Sequence, residues 1–346
     1  MPDAGLLETP ATFPVATPLR DHWIGFDLGG TKMLGAVFNS KFEIVGHKRK
    51  NTKGYEGPDA GIDRVKQTIH RALEEAEITI DRVAGIGIGV PGPLDLERGV
   101  VLETPNLGWK NLPISELLER EFNVPVSLVN DVDAGVYGEY RLGAAQNARC
   151  VVGLFPGTGI GGGCVVNGQI WRGERLSCFE VGHMCVQPGG PICGCGRRGC
   201  LEAVASRLAI SGAAAQAAYR GQAPNLQRIA GTDLANIRSG ALAESIEQGD
   251  KIIEDIVREA ARQLGNAAGA LVNLLAPDVI LLGGGLVEAL PKLFIEEVKQ
   301  AAEAQAMPAY RKSFKVTVGS LADYAAVKGA AAWAQAMAAK RMSETT

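Results

Sequence analysis

The segment from Gly25-Phe26-Asp27-Leu28-Gly29 to Val37-Phe38-Asn39 can be laid in register over Gly153-Leu154-Phe155-Pro156-Gly157 to Val165-Val166-Asn167, 128 residues further on. Glycines, a valine and an asparagine coincide. In the first copy, the apolar runs Trp23 to Asp27 and Met33 to Phe38 flank a Gly-rich stretch, which is the pattern of strand, tight turn and strand. A chain that begins the same hairpin twice has two similar halves to fold. Two such halves face each other across a cleft, a natural place to hold a nucleotide. Two unrelated Gly-rich hairpins would look much the same, so the elements around them have to decide.

Those elements alternate. A third strand is predicted at Phe42 to Gly46, and a helix from Asp59 to Glu77, where Ile62, Val65, Ile69, Leu73 and Ala76 recur at helical spacing. Val83 to Val90 reads as a buried strand ending at Pro91-Gly92-Pro93, Val126 to Val129 as another, and Val132 to Tyr140 as a helix. Further on, Lys251 to Leu275 places Ile252, Ile256, Leu264, Leu271 and Leu275 mainly on one helical face, the mark of core packing. Val279 to Leu282 is a strand that empties into Gly283-Gly284-Gly285, with a helix after it. Lys315 to Gly319 is a last strand, and Ala325 to Met342 a last alanine-rich helix. Strands alternating with helices give an α/β fold. At 346 residues the chain exceeds one ordinary core. The expected division is a flexible leader over 1–22, an N-terminal α/β domain over 23–140 completed by the helix 325–342, and a larger C-terminal α/β domain over 141–324.

Composition excludes several classes. A net charge of −3 argues against a dominant nucleic-acid-binding surface. No apolar run approaches the roughly 20 residues that span a bilayer, and the proline-rich leader lacks the pattern of a signal peptide. All seven cysteines lie between Cys150 and Cys200, a clustering that points to reduced thiols, a metal and the cytoplasm rather than to a disulfide framework. Cys150, Cys164, Cys178 and Cys185 lack ligand spacing and are expected to be small buried hydrophobes. His183, Cys193, Cys195 and Cys200, by contrast, are enough to saturate a tetrahedral zinc ion. With four protein ligands such a zinc has no open position and is structural. Glu180 and Glu202 flank this loop as carboxylates that the zinc does not need.

Asp27-Leu28-Gly29-Gly30-Thr31-Lys32 can cradle a phosphate: the glycines let backbone approach closely, Thr31 offers a hydroxyl, and Asp27 can hold magnesium directly or through water. Gly157-Thr158-Gly159-Ile160-Gly161-Gly162-Gly163 supplies a second such turn. Neither has P-loop or dinucleotide-fingerprint spacing. Gly283-Gly284 after a buried strand is either a ligand approach or a plain turn. Asn130-Asp131 opens a helix at a strand's end, where either residue can cap the helix, and where a carboxylate can also accept the proton of an attacking hydroxyl. Asp133 is an alternative base, with its side chain on a different side. Pro105-Asn106-Leu107-Gly108-Trp109 reads as a polar loop with an exposed-prone aromatic, and Asn106 as a partner for a sugar hydroxyl.

Together, Asp27 to Lys32, Pro91-Gly92-Pro93, Asn130-Asp131, Gly157 to Gly163, Glu180-Val181-Gly182-His183 and Cys193-Gly194-Cys195-Gly196-Arg197-Arg198-Gly199-Cys200-Leu201-Glu202 resemble the ROK family (repressors, open reading frames, kinases), particularly its bacterial glucokinases. The motifs keep the family's order over residues 23 to about 340. The resemblance implies an actin-like, hexokinase-type fold of two α/β domains closing on a hexose, ATP and magnesium. It also implies Asp131 as general base, Asn106, Asn130, Glu180, His183 and Glu202 as sugar contacts, and His183, Cys193, Cys195 and Cys200 as zinc ligands. Asp27, Gly29, Gly30, Thr31, Lys32, Gly157, Thr158 and Gly159 then match the ATP-phosphate segments. A homodimer or tetramer is expected, with no nucleic-acid or membrane partner. Glucose is the expected sugar, with N-acetylglucosamine, N-acetylmannosamine and fructose as alternatives. A sugar sensor without kinase activity is the non-enzyme alternative. The family's repressors carry a DNA-reading domain of several helices, for which the residues ahead of Trp23 are too few. Two departures stand out: Glu174-Arg175-Leu176-Ser177-Cys178-Phe179 replaces a run of small residues before Glu180, and Asp133 stands where asparagine is commoner. Leu176 and Phe179 are expected to narrow or reshape the sugar pocket.

Overall fold

A computed structural model describes residues 19–104, 107–174, 176–177 and 179–344. Most of the expected leader lies outside them. The first half of the chain forms strands β1 (His22–Leu28), β2 (Lys32–Phe38), β3 (Ile44–Asn51), β4 (Val83–Val90), β5 (Leu94–Asp95), β6 (Val100–Glu103), β7 (Lys110–Leu112) and β8 (Val126–Asn130). The second half forms β9 (Cys150–Pro156), β10 (Ile160–Val166), β11 (Gln169–Ile170), β12 (Val279–Leu282) and β13 (Lys315–Val318). Helices α1 (Pro58–Ala76), α2 (Ile114–Phe122) and α3 (Asp131–Leu142) belong to the first half. They are followed by α4 (Leu201–Ala205), α5 (Arg207–Tyr219), α6 (Pro224–Ala230), α7 (Ser239–Glu247), α8 (Lys251–Leu275), α9 (Gly285–Ala289), α10 (Pro291–Gln305) and α11 (Ala325–Glu344).

Two five-stranded sheets run β3-β2-β1-β4-β8 and β11-β10-β9-β12-β13. In each, a hairpin and its outer partner pair antiparallel, and the next two strands add in parallel. β1–β2 holds in one sheet the place that β9–β10 holds in the other, so the sequence repeat is a repeat of topology. The central parallel strands β4 and β12 are almost wholly buried, as strands covered on both faces must be.

Three expectations need correcting. β3 starts at Ile44 and runs to Asn51, because Phe42 sits in a left-handed turn (φ 60°) with its amide on the Asn39 carbonyl (3.0 Å). Its continuation through His47, Lys48, Arg49 and Lys50 is an edge strand whose charges hide it from an apolar count. In α8 the buried stripe is Ile253, Val257, Ala261, Leu264, Ala268 and Leu271, whereas Ile252, Ile256 and Leu275 are only half-buried at its margin. Small residues set that rotation: a Cβ added at Gly265 would lie 2.7 Å from the Val298 carbonyl oxygen of α10. Trp109 is 1% exposed, not a surface aromatic, and packs so tightly on α1 that a Cβ at Gly61 would lie 2.0 Å from the indole.

The chain's last helix returns to the first sheet, where α11 packs on α3, β1 and β4. Glycines bring the helices together: a Cβ at Gly329 would meet the Ala134 carbonyl oxygen at 1.7 Å. The chain thus passes between the sheets twice, after α3 and before α11. Glu139, 1% exposed near the end of α3, holds both passages. Its Oε2 accepts from the Ala144 amide (2.8 Å) and the Ser320 hydroxyl (3.2 Å), and its Oε1 from the Leu321 amide (2.7 Å). Among the described residues, no helix is long and apolar enough to cross a membrane.

Candidate active site

Between the sheets lies a cleft of about 320 Å³, with Asp27, Asp131, Phe155, Gly283, Gly284 and Asp323 in its wall. Asp27 is the penultimate residue of β1, just ahead of the Gly29-Gly30-Thr31 turn. Thr52, fully buried after β3, braces that turn: its hydroxyl donates to the Gly29 carbonyl (2.7 Å) and its amide to that of Thr31 (2.8 Å). Lys32 is exposed and lines an adjoining pocket with Asp27, Arg49 and Asp323, the last two joined by an ion pair of 2.9 Å. Gly283 is required by packing, since a Cβ there would strike the Phe155 ring at 2.4 Å. Gly284, at φ 92°, turns the chain into α9 beside the cleft.

β8 delivers Asn130 and Asp131 to the same cleft. Asn130 is the helix cap: its Oδ1 accepts from the amides of Val132 (2.9 Å) and Asp133 (3.2 Å), satisfying donors that α3 leaves free. Asp131 is thereby left for other work, with one oxygen on the Val132 amide (3.0 Å). Burial pushes its carboxyl up to about 6, against the pull of that amide and with help from the Glu180 charge. Burial, then the neighbouring Asp131 charge, push Asp27 up to about 7. Asp133 is 2% exposed, with Oδ1 unpartnered and turned toward Gly163 of β10, where a Cβ would lie 2.9 Å away. Burial above all holds its carboxyl well above the usual range.

The second hairpin is held differently. The Gly157 amide donates to the Gly159 carbonyl (2.8 Å), the Arg207 amide to that of Gly157 (2.9 Å), and the Arg207 guanidinium to the Thr158 hydroxyl (2.8 Å). Gly157, Thr158 and Gly159 are not among the residues lining the 320 Å³ cleft. The turn abuts Glu202 instead: the Ile160 amide donates to Glu202 Oε2 (3.0 Å), and a Cβ at Gly159 would lie 2.2 Å from that oxygen.

The other Glu202 oxygen lies 3.6 Å from Cys193 Sγ, in the cysteine loop. There His183 Nδ1 is 3.6 Å from Cys193 Sγ, Cys195 and Cys200 sulfurs are 3.7 Å apart, and all four ligand atoms lie within 4.8 Å of one another. A tetrahedron with zinc–sulfur bonds of about 2.3 Å has edges close to these separations. Hydrogen bonds from Arg197 bring the Cys195 thiol down to about 6, while burial pushes its neighbours Cys193 and Cys200 up. Gly199, at φ 74°, closes the loop where a Cβ would lie 1.8 Å from the Gln187 carbonyl oxygen. Glu180 is exposed, with its carbonyl on the His183 amide (3.0 Å).

Asn106 and Cys178 lie outside the described residues. Cys150 and Cys164 are buried as expected, but Cys185 is exposed, because it borders the loop's open face rather than the core. Leu176 is 49% exposed, and Phe179 sits half-buried at φ 70°, in a backbone region that favours glycine. Thr52, Glu139, Arg207 and the Arg49–Asp323 pair were not singled out by sequence. Each acts through backbone groups or a distant partner, and none has a spacing signature.

Residues 23–337 match the model of the ROK family. A glucokinase of Thermotoga maritima is 32% identical over 310 residues, covering 89% of this chain and 95% of that protein. A xylose repressor of Caldicellulosiruptor bescii is 28% identical over 306 residues, covering 88% of this chain and 76% of the repressor. Among solved structures, a ROK family glucokinase from Streptomyces griseus in complex with glucose and AMPPNP is similar at a TM-score of 0.80 and 30% identity, over 91% of this chain and 99% of that one. The matched span takes in both sheets, Asp131 and the cysteine loop, and the chain belongs to the ROK family, with the actin-like ATPase fold of its sugar kinases.

Proposed function

We propose that this protein is an ATP-dependent hexose kinase that phosphorylates glucose at its 6-hydroxyl. The observation that carries the reading is Asp131: a half-buried carboxylate at a helix start, freed from capping by Asn130, in one cleft with Asp27 and Gly283-Gly284. In the reaction the sugar hydroxyl oxygen attacks the γ-phosphorus, the bond to the β-phosphate oxygen breaks, Asp131 takes the hydroxyl proton, and ADP leaves. With its carboxyl raised to about 6, Asp131 is ionised at neutral pH yet basic enough to accept that proton.

Two lobes, 23–140 with the last helix and 141–324, close on the substrates and exclude water. Gly29 to Lys32, Gly157 to Gly159 and Gly283-Gly284 serve the nucleotide phosphates. Asn106, Asn130, Glu180, His183 and Glu202 serve the sugar ring. The crowding of the Asp27 and Asp131 carboxylates, beside an Asp323 already paired with Arg49, suits a cation. Magnesium held at Asp27 would neutralise phosphate charge. Zinc on His183, Cys193, Cys195 and Cys200 would be structural, orienting His183 and, through the contact of Cys193 with Glu202, the sugar-side carboxylates. The cytoplasm, where such thiols stay reduced, is the proposed location, and a homodimer or tetramer the proposed assembly.

Similarity to a xylose repressor favours one second reading, a sugar sensor without turnover. ADP release by the purified protein with ATP, magnesium and glucose, N-acetylglucosamine, N-acetylmannosamine or fructose separates them. Turnover with glucose is expected; sugar binding without turnover on any hexose would favour the sensor. Asp131→Asn is expected to lower kcat by orders of magnitude while glucose still binds, and near-normal phosphorylation by that variant would remove Asp131 from its role.

A further inference from the structure

A second pocket, of about 210 Å³, shares no lining residue with the cleft just described. Its walls come from the turn between β5 and β6, the start of α2, β8, the outer part of α11, and Arg172, which follows β11 in the other sheet. Its charged lining is balanced, Arg98, Arg172 and Arg341 against Glu97, Glu116 and Glu119, but the partners are unevenly shared. Arg172 is half-buried, its guanidinium 5.5 Å from the centre of the Trp333 ring, and it makes no hydrogen bond or ion pair among the described residues. The guanidinium of Arg98 is likewise unpaired among them; only its backbone amide is used, on Asp95 Oδ1 (3.0 Å). The wall's three carboxylates are all engaged: Glu119 accepts from the Val126 amide (2.9 Å), Glu116 pairs with Arg120, and Glu97, like the third arginine Arg341, is not free.

Polar groups suited to an oxyanion converge on the same place. The Ser115 side chain, on a residue 8% exposed, has a buried hydroxyl with no partner. Ser115 lies in the first turn of α2, a nine-residue helix whose N-terminus has no side-chain cap; the Ser115 amide is taken by the Gly99 carbonyl (3.2 Å), but the helix dipole still favours negative charge there. Ser127 adds a second hydroxyl at the wall. Two guanidiniums without a hydrogen-bond partner, one of them stacked on Trp333 and within the field of Asp133, together with an uncapped helix start and serine hydroxyls, form a donor set suited to a tetrahedral phosphoryl group.

We propose that this pocket is a second ligand site, for a small phosphate monoester bearing hydroxyl groups. Its volume exceeds what inorganic phosphate fills, which favours the ester over the free ion. The ligand would join Arg172, from the second sheet's side, to Ser115 and Arg98, from the first. The Trp333 ring beneath Arg172 also packs edge-on to Tyr137 of α3 at 5.3 Å, and α3 begins at Asp131. Occupancy would thus bear on the packing of the helix that carries Asp131. The binding itself stands apart from the kinase reading; only an effect on turnover rests on it.

The test is calorimetric titration of the full chain, presaturated with glucose and AMPPNP so that the cleft is filled, first with inorganic phosphate and then with glucose 6-phosphate. One saturable site per chain is expected, tighter for the monoester, and weakened about tenfold or more by either Arg172→Gln or Arg98→Gln. Arg98 is exposed, so that variant keeps its fold, which circular dichroism checks. Absence of saturable binding for both probes, or binding unchanged in both variants, overturns the proposal. Tighter binding of inorganic phosphate than of the ester would overturn the ester assignment. If glucose and AMPPNP themselves fail to bind, the kinase reading falls, while the two phosphate titrations still report on the pocket.

Discussion

At Asp131 the local chemistry makes opposite demands on activity and stability. Its carboxyl, raised from 3.8 to about 6 chiefly by burial, must be ionised to act as base. The rate constant kcat/KM is therefore expected to fall as pH drops through about 6 and to level off above it; a profile flat down to pH 4.5 would contradict this. For folding the sign reverses. A raised value means that the folded state prefers the proton, so this group favours folding below the unfolded value and loses that contribution as pH rises through about 6. Unliganded Asp131→Asn should thus be more stable than the parent at pH 8, by on the order of 3 kcal/mol, and should lose the advantage near pH 4. Thermal unfolding at the two pH values reads this directly, and equal melting temperatures at pH 8 would sink it. Sequence alone left Asn130 and Asp131 as rival caps. Only the position of Asn130 Oδ1 over the Val132 and Asp133 amides divides the labour.

At the scale of elements, the cysteine loop and the second hairpin behave as one piece. Glu202 grips the Ile160 amide with one oxygen and meets Cys193 with the other, while Arg207 holds Thr158 and Gly157. Stripping metal with a chelator, or Cys195→Ser, is expected to weaken glucose binding roughly tenfold or more, with a smaller change in AMPPNP affinity. Unchanged glucose affinity in a folded protein shown by elemental analysis to lack zinc would reject the link. Much of this level was legible in sequence. The hairpins, α1, α8 and β12 follow from apolar period and glycine placement, and the gathering of His183, Cys193, Cys195 and Cys200 from cysteine spacing. What escaped has physical reasons. β3 is an edge strand of charges, α8 turns its glycines and alanines inward, and Trp109 is buried by a glycine 48 positions earlier in the chain, Gly61. None of these leaves a local periodic signal.

For the whole molecule, the duplicated sheet order was foreshadowed by the 128-residue repeat, but the joint between the sheets was not. Glu139→Ala should leave each half folded and still lower kcat/KM by up to about 100-fold, since small misplacement of reacting groups is costly. Small-angle scattering without ligands should then show a broader range of separations between the halves. A scattering profile identical to the parent would mean that Glu139 acts only as part of the cleft wall. The joint also has a kinematic meaning. Two passages of chain fastened by one carboxylate are held against sliding, and the motion most open to them would be a turn about the fastening, like leaves on a single pin. Asp131 lies eight residues up α3 from that pin, about 12 Å along the helix, and travels with one leaf, whereas Gly283 and Gly284 travel with the other. On the proposed kinase reading, the gap between Asp131 and the phosphoryl donor would then be set by one angle, and anything that biases that angle, at whatever distance, would act as a throttle on phosphoryl transfer.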